Sequence, residues 1–409
     1  MTRAEAESLD SEDALARFRE RFVVDDEELV YADGNSLGRL PRDAVARLAG
    51  RVDEWGSRLV GAWHDWIDLP TQVGDALAAG VLGARPGEVV VADSTTVNLF
   101  KLAAAAQELR PGAIVTDAAN FPTDRYVLGG IGDLVQFESD LLEGPSADDV
   151  ARACRGRDVS LVSLSHVAYR SGALADLRAI TDAAHDAGAV VLWDLSHSAG
   201  AVPIELDETE VDLAVGCTYK YLNAGPGAPA FLYVRRELQP ALRSPIRGWF
   251  AQRDQFAMGP AYDPVPGIGR FLAGTPPILD LTAVEVGTAL VAEAGIQALR
   301  AKSVALTELA VTLHDERLGP LGFELGSPRD PERRGAHVSV RHHDARRICR
   351  AAIERRRLVP DFRAPDSIRL GFPPLYTRFV DVWEAIDRIA DLVVSGEYLE
   401  VDPGTARVT

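Results

Sequence analysis

The chain has 409 residues, of which 47% are hydrophobic and 25% are charged, and its formal net charge is −18. This composition is typical of a globular protein of one or two domains, and so acidic a surface disfavours binding to nucleic acids or anionic membranes. Three widely spaced cysteines exclude a disulfide framework and a paired-cysteine metal site, and no signal peptide or membrane-spanning run is recognisable, so we expect a reduced, cytoplasmic protein.

The first part of the chain predicts helices on either side of an extended, turn-rich segment. An amphipathic helix is expected over residues 11–22, followed by the strand-like LVYA and the turn-forming DGNSLGRLP. Helical character then covers residues 42–59. We expect residues 1–50 to form an N-terminal segment that packs with a small C-terminal domain.

From Glu88 onward, short apolar strands alternate with helical or turn-forming sequence. The strands are EVVVA, AIVTD, VSLVSLSH, AVVLWDLSH, DLAVGCTYKY and AFLYV. This alternation is typical of βαβ units and a mostly parallel sheet, and continuous apolar runs predict strands buried on both faces. We therefore predict an α/β fold whose large domain covers residues 51–295.

The last third of the chain predicts a smaller α+β domain over residues 296–409. Helical sequence from about residue 281 to 313 leads into the strand GAHVSVRH and a helix near residues 345–357. The strand SIRLGF and a final helix near residues 379–392 complete this domain.

Lysine is rare in this chain and occurs only at positions 101, 220 and 302. The remaining residues among the 43 lysines and arginines are all arginines. Lys101 and Lys302 lie within helical sequence, where we expect solvated positions. Lys220 instead ends the apolar strand LAVGCTY and precedes a glycine-rich loop. The carboxyl end of a strand is where doubly wound sheets bind ligands, so Lys220 is a candidate site residue.

Asp194 closes another buried strand, and a carboxylate in that position requires a cationic or hydrogen-bonded partner. Pyridoxal phosphate needs an amine for its Schiff base and an acid that keeps its pyridine nitrogen protonated, which Lys220 and Asp194 would supply. His197 is placed to orient the carboxylate or the ring hydroxyl. A turn-capping aspartate and a structural histidine are the alternative interpretations.

The phosphate of such a cofactor needs hydrogen-bond donors. Ser94, Thr95 and Thr96 lie between a buried strand and a helix, where hydroxyls and free N–H groups form an anion site, although the same residues also suit a helix cap. Phe121, which follows a strand, offers a stacking face for the ring. Asp124 would reach the ring or fix a neighbouring group.

Several long motifs, in order along nearly the whole chain, resemble those of kynureninase, a fold-type I pyridoxal-phosphate hydrolase. They run from YADGNSLG to IRLGFPPLYTRFVD and are most specific in FPTDRY, WDLSHSAGAVPIEL, YKYLNAGPGAPAFLYV, RGWF and GTPPIL. The resemblance implies that the large domain binds pyridoxal 5'-phosphate. It also implies hydrolysis of L-kynurenine, or a ring-substituted relative, to an anthranilate and L-alanine.

The resemblance further implies roles for individual residues. Lys220 would carry the cofactor as a Schiff base, Asp194 would partner the pyridine nitrogen, and Tyr219 would be the catalytic acid, with a lowered pKa. Arg369 would clamp the substrate α-carboxylate through its bidentate guanidinium. The residues expected to contact the cofactor are Thr95, Thr96, Phe121, Asp124, Ser165, Asp194, His197, Tyr219 and Lys220, joined by Trp249 and Thr275 from the neighbouring subunit of a homodimer with shared active sites.

Two departures from the family pattern concern the pocket for the aryl ring of the substrate. Ala168 stands where we expect asparagine, and the sequence around the candidate substrate-binding residue His64 is altered. The alternatives are therefore a kynureninase-like enzyme of specialised metabolism, a class V aminotransferase or a cysteine desulfurase on the same scaffold, and a non-catalytic binding protein. We expect no metal.

Overall fold

The computed structural model describes residues 1–402 and residue 404. Its helices are α1 Arg3–Glu12, α2 Arg42–Arg58, α3 Trp63–Trp66, α4 Leu69–Leu77, α5 Thr95–Leu109, α6 Pro122–Gly129, α7 Ala147–Cys154, α8 Leu177–Asp186, α9 Ile278–Ala294, α10 Ile296–Leu313, α11 Ala345–Arg356 and α12 Phe379–Ser395. Its strands are β1 Val30–Tyr31, β2 Val89–Val91, β3 Ala113–Asp117, β4 Leu134–Phe137, β5 Val159–Ser165, β6 Val190–Asp194, β7 Leu213–Gly216, β8 Phe231–Val234, β9 Glu324–Leu325, β10 His337–Arg341, β11 Leu358–Val359, β12 Asp361–Arg363 and β13 Ser367–Gly371. None of these helices is long and apolar enough to cross a membrane.

The larger sheet has seven strands in the order β2-β8-β7-β6-β5-β3-β4. Strand β8 runs antiparallel to both of its neighbours, whereas the other pairs are parallel. Every residue of β2, β7 and β8 is buried, as the continuous apolar runs predict. The predicted α/β fold with a mostly parallel sheet is confirmed. Its parallel strands bring their carboxyl ends to one edge, where the candidate site lies.

A smaller antiparallel sheet has the order β12-β13-β10-β9, and β1 pairs in parallel with β11 beside it. Helices α10, α11 and α12 contribute side chains to its hydrophobic core. The N-terminal segment contributes to both cores, since Ala6 and Val30 belong to the smaller one while Phe18 and Phe22 belong to the larger. The domain limits at residues 50 and 295 therefore stay a prediction, and residues 403 and 405–409 lie outside the described part of the chain.

The predicted amphipathic helix over residues 11–22 is wrong. The helix lies earlier, because Thr2 caps the start of α1 by accepting a hydrogen bond from the amide of Glu5 at 3.3 Å. The Asp13 carboxylate then accepts from the amide of Leu15 at 2.9 Å, which stabilises a turn after the helix, and residues Ala16–Arg21 form only a short 3₁₀ helix. The predicted helices over residues 42–59, 345–357 and 379–392 agree with α2, α11 and α12 within a few residues.

Candidate active site

A cavity of about 220 Å³ lies at the carboxyl edge of the larger sheet. Strands β5 and β6 end in it at Ser165 and Asp194, and helix α5 begins beside it. The residues that line it are Thr95, Thr96, Phe121, Thr123, Asp124, Ser165, Tyr169, Asp194, Ser196, His197, Tyr219 and Lys220. The structure therefore places together all the predicted cofactor residues except Trp249 and Thr275.

Lys220 extends into this cavity from the turn that follows β7. Its Nζ lies 3.0 Å from Nε2 of His197 and 6.0 Å from the centre of the Tyr219 ring. The N-terminal segment braces the turn, because the amide of Gly38 donates to the Tyr219 carbonyl at 2.8 Å. A side chain at position 38 would collide with the carbonyl of Lys220, so glycine is required for this close approach.

Asp124 and Asp194 form a buried pair of carboxyl groups. The amide of Ser196 donates to Asp194 at 2.8 Å. Burial and the neighbouring charge of Asp194 raise the pKa of Asp124 well above its usual value, although the charge of Lys220 opposes this shift. The site therefore favours the neutral form of Asp124 over its carboxylate. Among the residues that the structure describes, Oδ2 of Asp124 has no hydrogen-bond partner.

His197 is a buried, neutral imidazole. Burial lowers its pKa well below the usual value, and the charges of Lys220 and Arg369 act in the same direction. Its Nδ1 has no partner within the described chain. The ring of His337, which is buried on β10, lies 5.5 Å from the His197 ring between centroids. Sequence reasoning missed His337, because its position in a buried strand does not distinguish it from a core residue.

Tyr219 does not have the lowered pKa that the sequence led us to expect. Its neighbour Cys217, burial and the charge of Asp194 all raise the pKa of the phenol. The hydroxyl therefore keeps its proton throughout the neutral range. It can still act as a proton donor, but the protein around it does not make it more acidic.

The start of α5 forms the end of the cavity predicted to bind phosphate. Ser94 caps the helix by accepting a hydrogen bond from the amide of Val97 at 3.4 Å, and Thr95 and Thr96 supply the first residues of the helix. The unpaired N–H groups of a first helical turn, together with hydroxyls, favour an anion. This geometry is consistent with both the cap and the phosphate interpretations, because the two use different groups.

The expectation of solvated positions for Lys101 and Lys302 is wrong. Lys101 has no exposed surface, and its ammonium pairs with Asp93 and donates to the carbonyl of Phe271 at 2.7 Å. Lys302 is 8% exposed and lies 2.7 Å from Asp13. All three lysines thus have defined polar neighbours, but only Lys220 extends into the cavity.

Arg369 lies on β13, directly opposite Asp361 of β12, and both side chains are buried. Its guanidinium forms an ion pair with Asp361, donates to the carbonyl of Tyr169 at 2.7 Å and donates to Oγ of Ser36 at 2.8 Å. The side-chain amide of Asn35 directs its oxygen toward the guanidinium, and this oxygen accepts a hydrogen bond from Nε of Arg369 at 2.7 Å. Tyr169 lines the cavity, so Arg369 lies directly behind its wall.

Three predicted residues lie away from the cavity of this single chain. Trp249 is 42% exposed, and Thr275 and His64 are also exposed. Ala168 lines a separate small recess, which Phe121 also borders. Sequence reasoning missed Thr123, Tyr169 and Ser196. Ser196 lies two residues after Asp194, the last residue of β6, and this closeness to a strand end could have identified it.

Comparisons with known proteins show the family of this chain and the proteins that share its fold. The kynureninase C-terminal domain family matches residues 299–389. A kynureninase of Pseudomonas fluorescens is 41% identical over 401 residues, which covers 96% of this chain and 95% of that protein. The fold resembles an apo cysteine desulfurase from Thermococcus onnurineus NA1, with a TM-score of 0.78 and 19% identity over 93% of this chain and 98% of the other. It also resembles a cystine C–S lyase variant with glycine covalently linked to its PLP cofactor, with a TM-score of 0.76 and 18% identity over 89% and 97% of the two chains.

Proposed function

This chain belongs to the kynureninase family, and from that premise we propose that it hydrolyses L-kynurenine, or a ring-substituted relative, to an anthranilate and L-alanine with pyridoxal 5'-phosphate as its cofactor. The observation that carries the proposal is the position of Lys220. Its amine enters a cavity that also contains the Asp124–Asp194 pair and the neutral His197.

The cavity has the groups that this cofactor requires. Lys220 offers an amine for the aldehyde, and Asp194 offers a carboxylate for the pyridine nitrogen. Oδ2 of Asp124 and Nδ1 of His197 are buried atoms that lack a hydrogen-bond partner within the described chain, so a polar ligand would satisfy them. Thr95 and Thr96 would hold the phosphate, and Phe121 would stack on the ring, with Ser165 beside it.

When bound, pyridoxal phosphate supplies a conjugated electron sink for negative charge at the substrate α-carbon. The protein's own groups carry the protons. Nζ of Lys220 would remove the α-proton, and the neutral Nε2 of His197, 3.0 Å away, can accept a hydrogen bond from it. The phenol of Tyr219, whose raised pKa keeps it protonated, would return a proton to the alanine carbon skeleton. Water adds to the side-chain carbonyl, and the bond between the β- and γ-carbons breaks.

Arg369 would bind the α-carboxylate of the substrate. Because Asp361, Ser36 and Tyr169 already hold the guanidinium, its orientation is fixed before the substrate arrives. The aryl ring would lie toward the recess that contains the small side chain of Ala168, because Phe121 and Tyr169 border both this recess and the cavity. His64, the other residue expected near the aryl ring, lies away from the cavity of a single chain.

The assembly in this proposal is a cytoplasmic homodimer with shared active sites. The surface exposes large apolar side chains on α2 and in two loops, and such side chains often mark a subunit interface. They include Trp55, Leu59, Val60, Trp249, Phe256 and Met258. In the dimer, Trp249 and Thr275 would contact the phosphate in the partner's site. The three cysteines, buried as free thiols, support a reducing compartment.

The structure gives less support to the enzymes that are alternatives on this scaffold. A cysteine desulfurase needs a reactive cysteine that can reach the substrate, whereas Cys154, Cys217 and Cys349 are all buried. Burial raises the pKa of each thiol, which disfavours the nucleophilic thiolate. An aminotransferase would release a keto acid instead of alanine and an aryl acid.

The proposal is tested by cofactor labelling and product analysis. The purified protein, reconstituted with pyridoxal phosphate, should show a visible absorption band that borohydride abolishes, with the reduced label on Lys220. Kynurenine, 3-hydroxykynurenine and ring-substituted analogues should then yield alanine and the matching aryl acid. A colourless protein after reconstitution, or a keto acid as the product, would contradict it.

A further inference from the structure

Lys101 is a buried ammonium that lies under the phosphate end of the candidate site, and the proposed chemistry does not use it. We propose that Lys101 is a positioning residue for pyridoxal phosphate. It neutralises the charge of Asp93 and holds in place the segment from Asp93 to Thr96, where helix α5 begins and the phosphate would bind. This inference rests on the proposed function. Neither Lys101 nor Asp93 lines the cavity, so the expected effect on the cofactor is indirect.

The geometry follows from the direction of side chains on a helix. Lys101 lies two turns into α5, and helical side chains lean toward the N-terminus, so its ammonium reaches back to Asp93 just before the cap. Asp93 has a positive φ of 50°, which is uncommon for a residue with a side chain. Its carbonyl also accepts from the amide of Ala230 at 2.8 Å. Lys101 thus holds the carboxylate of this strained residue, and Ala230, which directly precedes β8, holds its carbonyl.

Charge gives the pair a function beyond packing. Asp93 precedes Ser94 and Thr95, the residues that begin the anion-binding helix, and its side chain is 31% exposed. A carboxylate without a partner at this position would repel a phosphate dianion, whereas the ammonium of Lys101 neutralises it. The lysine in turn needs the carboxylate, because a buried ammonium without a partner is strongly unfavourable.

Lys101 also holds a second segment. It donates to the carbonyl of Phe271, and this residue leads through Ala273 toward Thr275. The carbonyl of Ala273 accepts from the amide of Phe250 at 3.2 Å, which ties the segment to the neighbour of Trp249. Trp249 and Thr275 are the two residues assigned to the partner's phosphate. One ammonium therefore supports the phosphate-binding groups of both sites of the proposed dimer.

Lys302 provides a matched control. It is also a buried lysine with one aspartate partner, Asp13. Its helix α10 contributes to the core of the smaller sheet, and neither residue lines the cavity. Replacing either lysine by methionine removes one buried ammonium and leaves one aspartate without its cation. Only the Lys101 variant should distinguish ligands that have a phosphate from those that do not.

The test is a titration of the full-length apoenzyme with pyridoxal phosphate and, separately, with pyridoxal. Binding is measured from the absorption of the bound aldehyde. Lys101→Met should weaken pyridoxal phosphate binding about 10-fold or more while changing pyridoxal binding less than about twofold. Adding Asp93→Asn to this variant should restore most of the loss. Lys302→Met should lower the melting temperature and leave the ratio of the two dissociation constants unchanged.

Equal weakening of both ligands in the Lys101 variant, or the same change of ratio in the Lys302 variant, would overturn the inference. If Lys101→Met does not fold, Asp93→Asn alone carries the test: removing the negative charge should favour pyridoxal phosphate over pyridoxal relative to wild type, and an unchanged or lower preference overturns the idea. Failure of the wild-type protein to bind pyridoxal phosphate at all would instead contradict the proposed function.

Discussion

The two ends of the candidate site are built on different principles. At the cofactor end, buried atoms such as Oδ2 of Asp124 and Nδ1 of His197 lack a partner within the described chain. At the substrate end, the guanidinium of Arg369 already interacts with Asp361, Ser36 and the carbonyl of Tyr169. Within the described chain, the first end thus presents buried polar atoms without a partner, whereas the guanidinium at the second end is already paired.

This difference indicates how each ligand gains its affinity. A cofactor that satisfies buried, unpartnered groups removes a cost that the free protein carries, so its contacts contribute strongly. A substrate carboxylate instead approaches an arginine whose charge Asp361 already balances, so the gain in free energy is smaller and the fixed orientation matters more. The largest losses are therefore expected from changes at the cofactor end.

Lys220→Ala should have the largest effect. Removing the amine should eliminate the borohydride-sensitive band and lower kcat by about 10³-fold or more, since it deletes both the attachment point and the proposed proton carrier. Absorption spectra and steady-state kinetics measure the two losses. Lys302→Ala serves as the control and should keep the band; if Lys220→Ala also kept it, the assignment of the cofactor end would be wrong.

Tyr219→Phe should come next. The variant keeps the ring but lacks the phenolic proton, so we expect normal cofactor absorption and a fall in kcat of about 10² to 10³-fold. Kinetics in ordinary and heavy water, with the cofactor content measured in parallel, separate slow proton donation from cofactor loss. Unchanged turnover would remove Tyr219 from its role as the acid.

Arg369→Lys tests the substrate end. An ammonium cannot replace the guanidinium fork that Asp361, Ser36 and Tyr169 hold, so KM should rise about 10- to 100-fold. The affinity for pyridoxal phosphate should change less than about twofold, since Arg369 lies behind the cavity wall. Parallel measurement of KM and of the cofactor dissociation constant decides the matter: a comparable loss of cofactor would show that the two ends are not independent.

His337→Gln should have the smallest effect, and it would appear in the pH dependence of stability. Burial, together with the charges of Arg369, Lys220 and Arg363, lowers the pKa of His337 well below its usual value. The unfolded chain therefore binds a proton below about pH 6.5 that the folded protein does not, and stability is lost as the pH falls. As the pH falls through that range, the free energy of unfolding of the variant should rise relative to that of wild type by up to about 1.4 kcal/mol per pH unit.

Urea unfolding of wild type and His337→Gln at pH 7.5, 6.5 and 5.5 would measure this difference. The groups that face His337, namely His197, Lys220, Arg363 and Arg369, are common to both proteins and cancel in the comparison to first order. A free-energy difference that stays constant with pH would show that His337 takes up a proton in the folded protein as well.

Much of the fold followed from local patterns. The strands that end at Ser165 and Asp194, and the helices that begin near Thr95 and Arg42, were predicted because apolar periodicity and cap residues act over a few positions. The prediction of a helix over residues 11–22 was wrong, and local cap residues also explain this error. Thr2 and Asp13 mark the real limits of helix α1, because both residues form hydrogen bonds at its ends.

The sequence by itself determined the family, the strand–helix order and most of the residues that line the cavity, since motifs and strand ends are local features of the chain. The tertiary structure decided which charges meet: Lys302 with Asp13, Arg369 with Asp361, and Lys101 with both Asp93 and Phe271. It also decided that the pKa of Tyr219 is raised and not lowered. The physical reason is that burial and electrostatic interaction depend on distance in space, and several of these partners lie far apart in the chain.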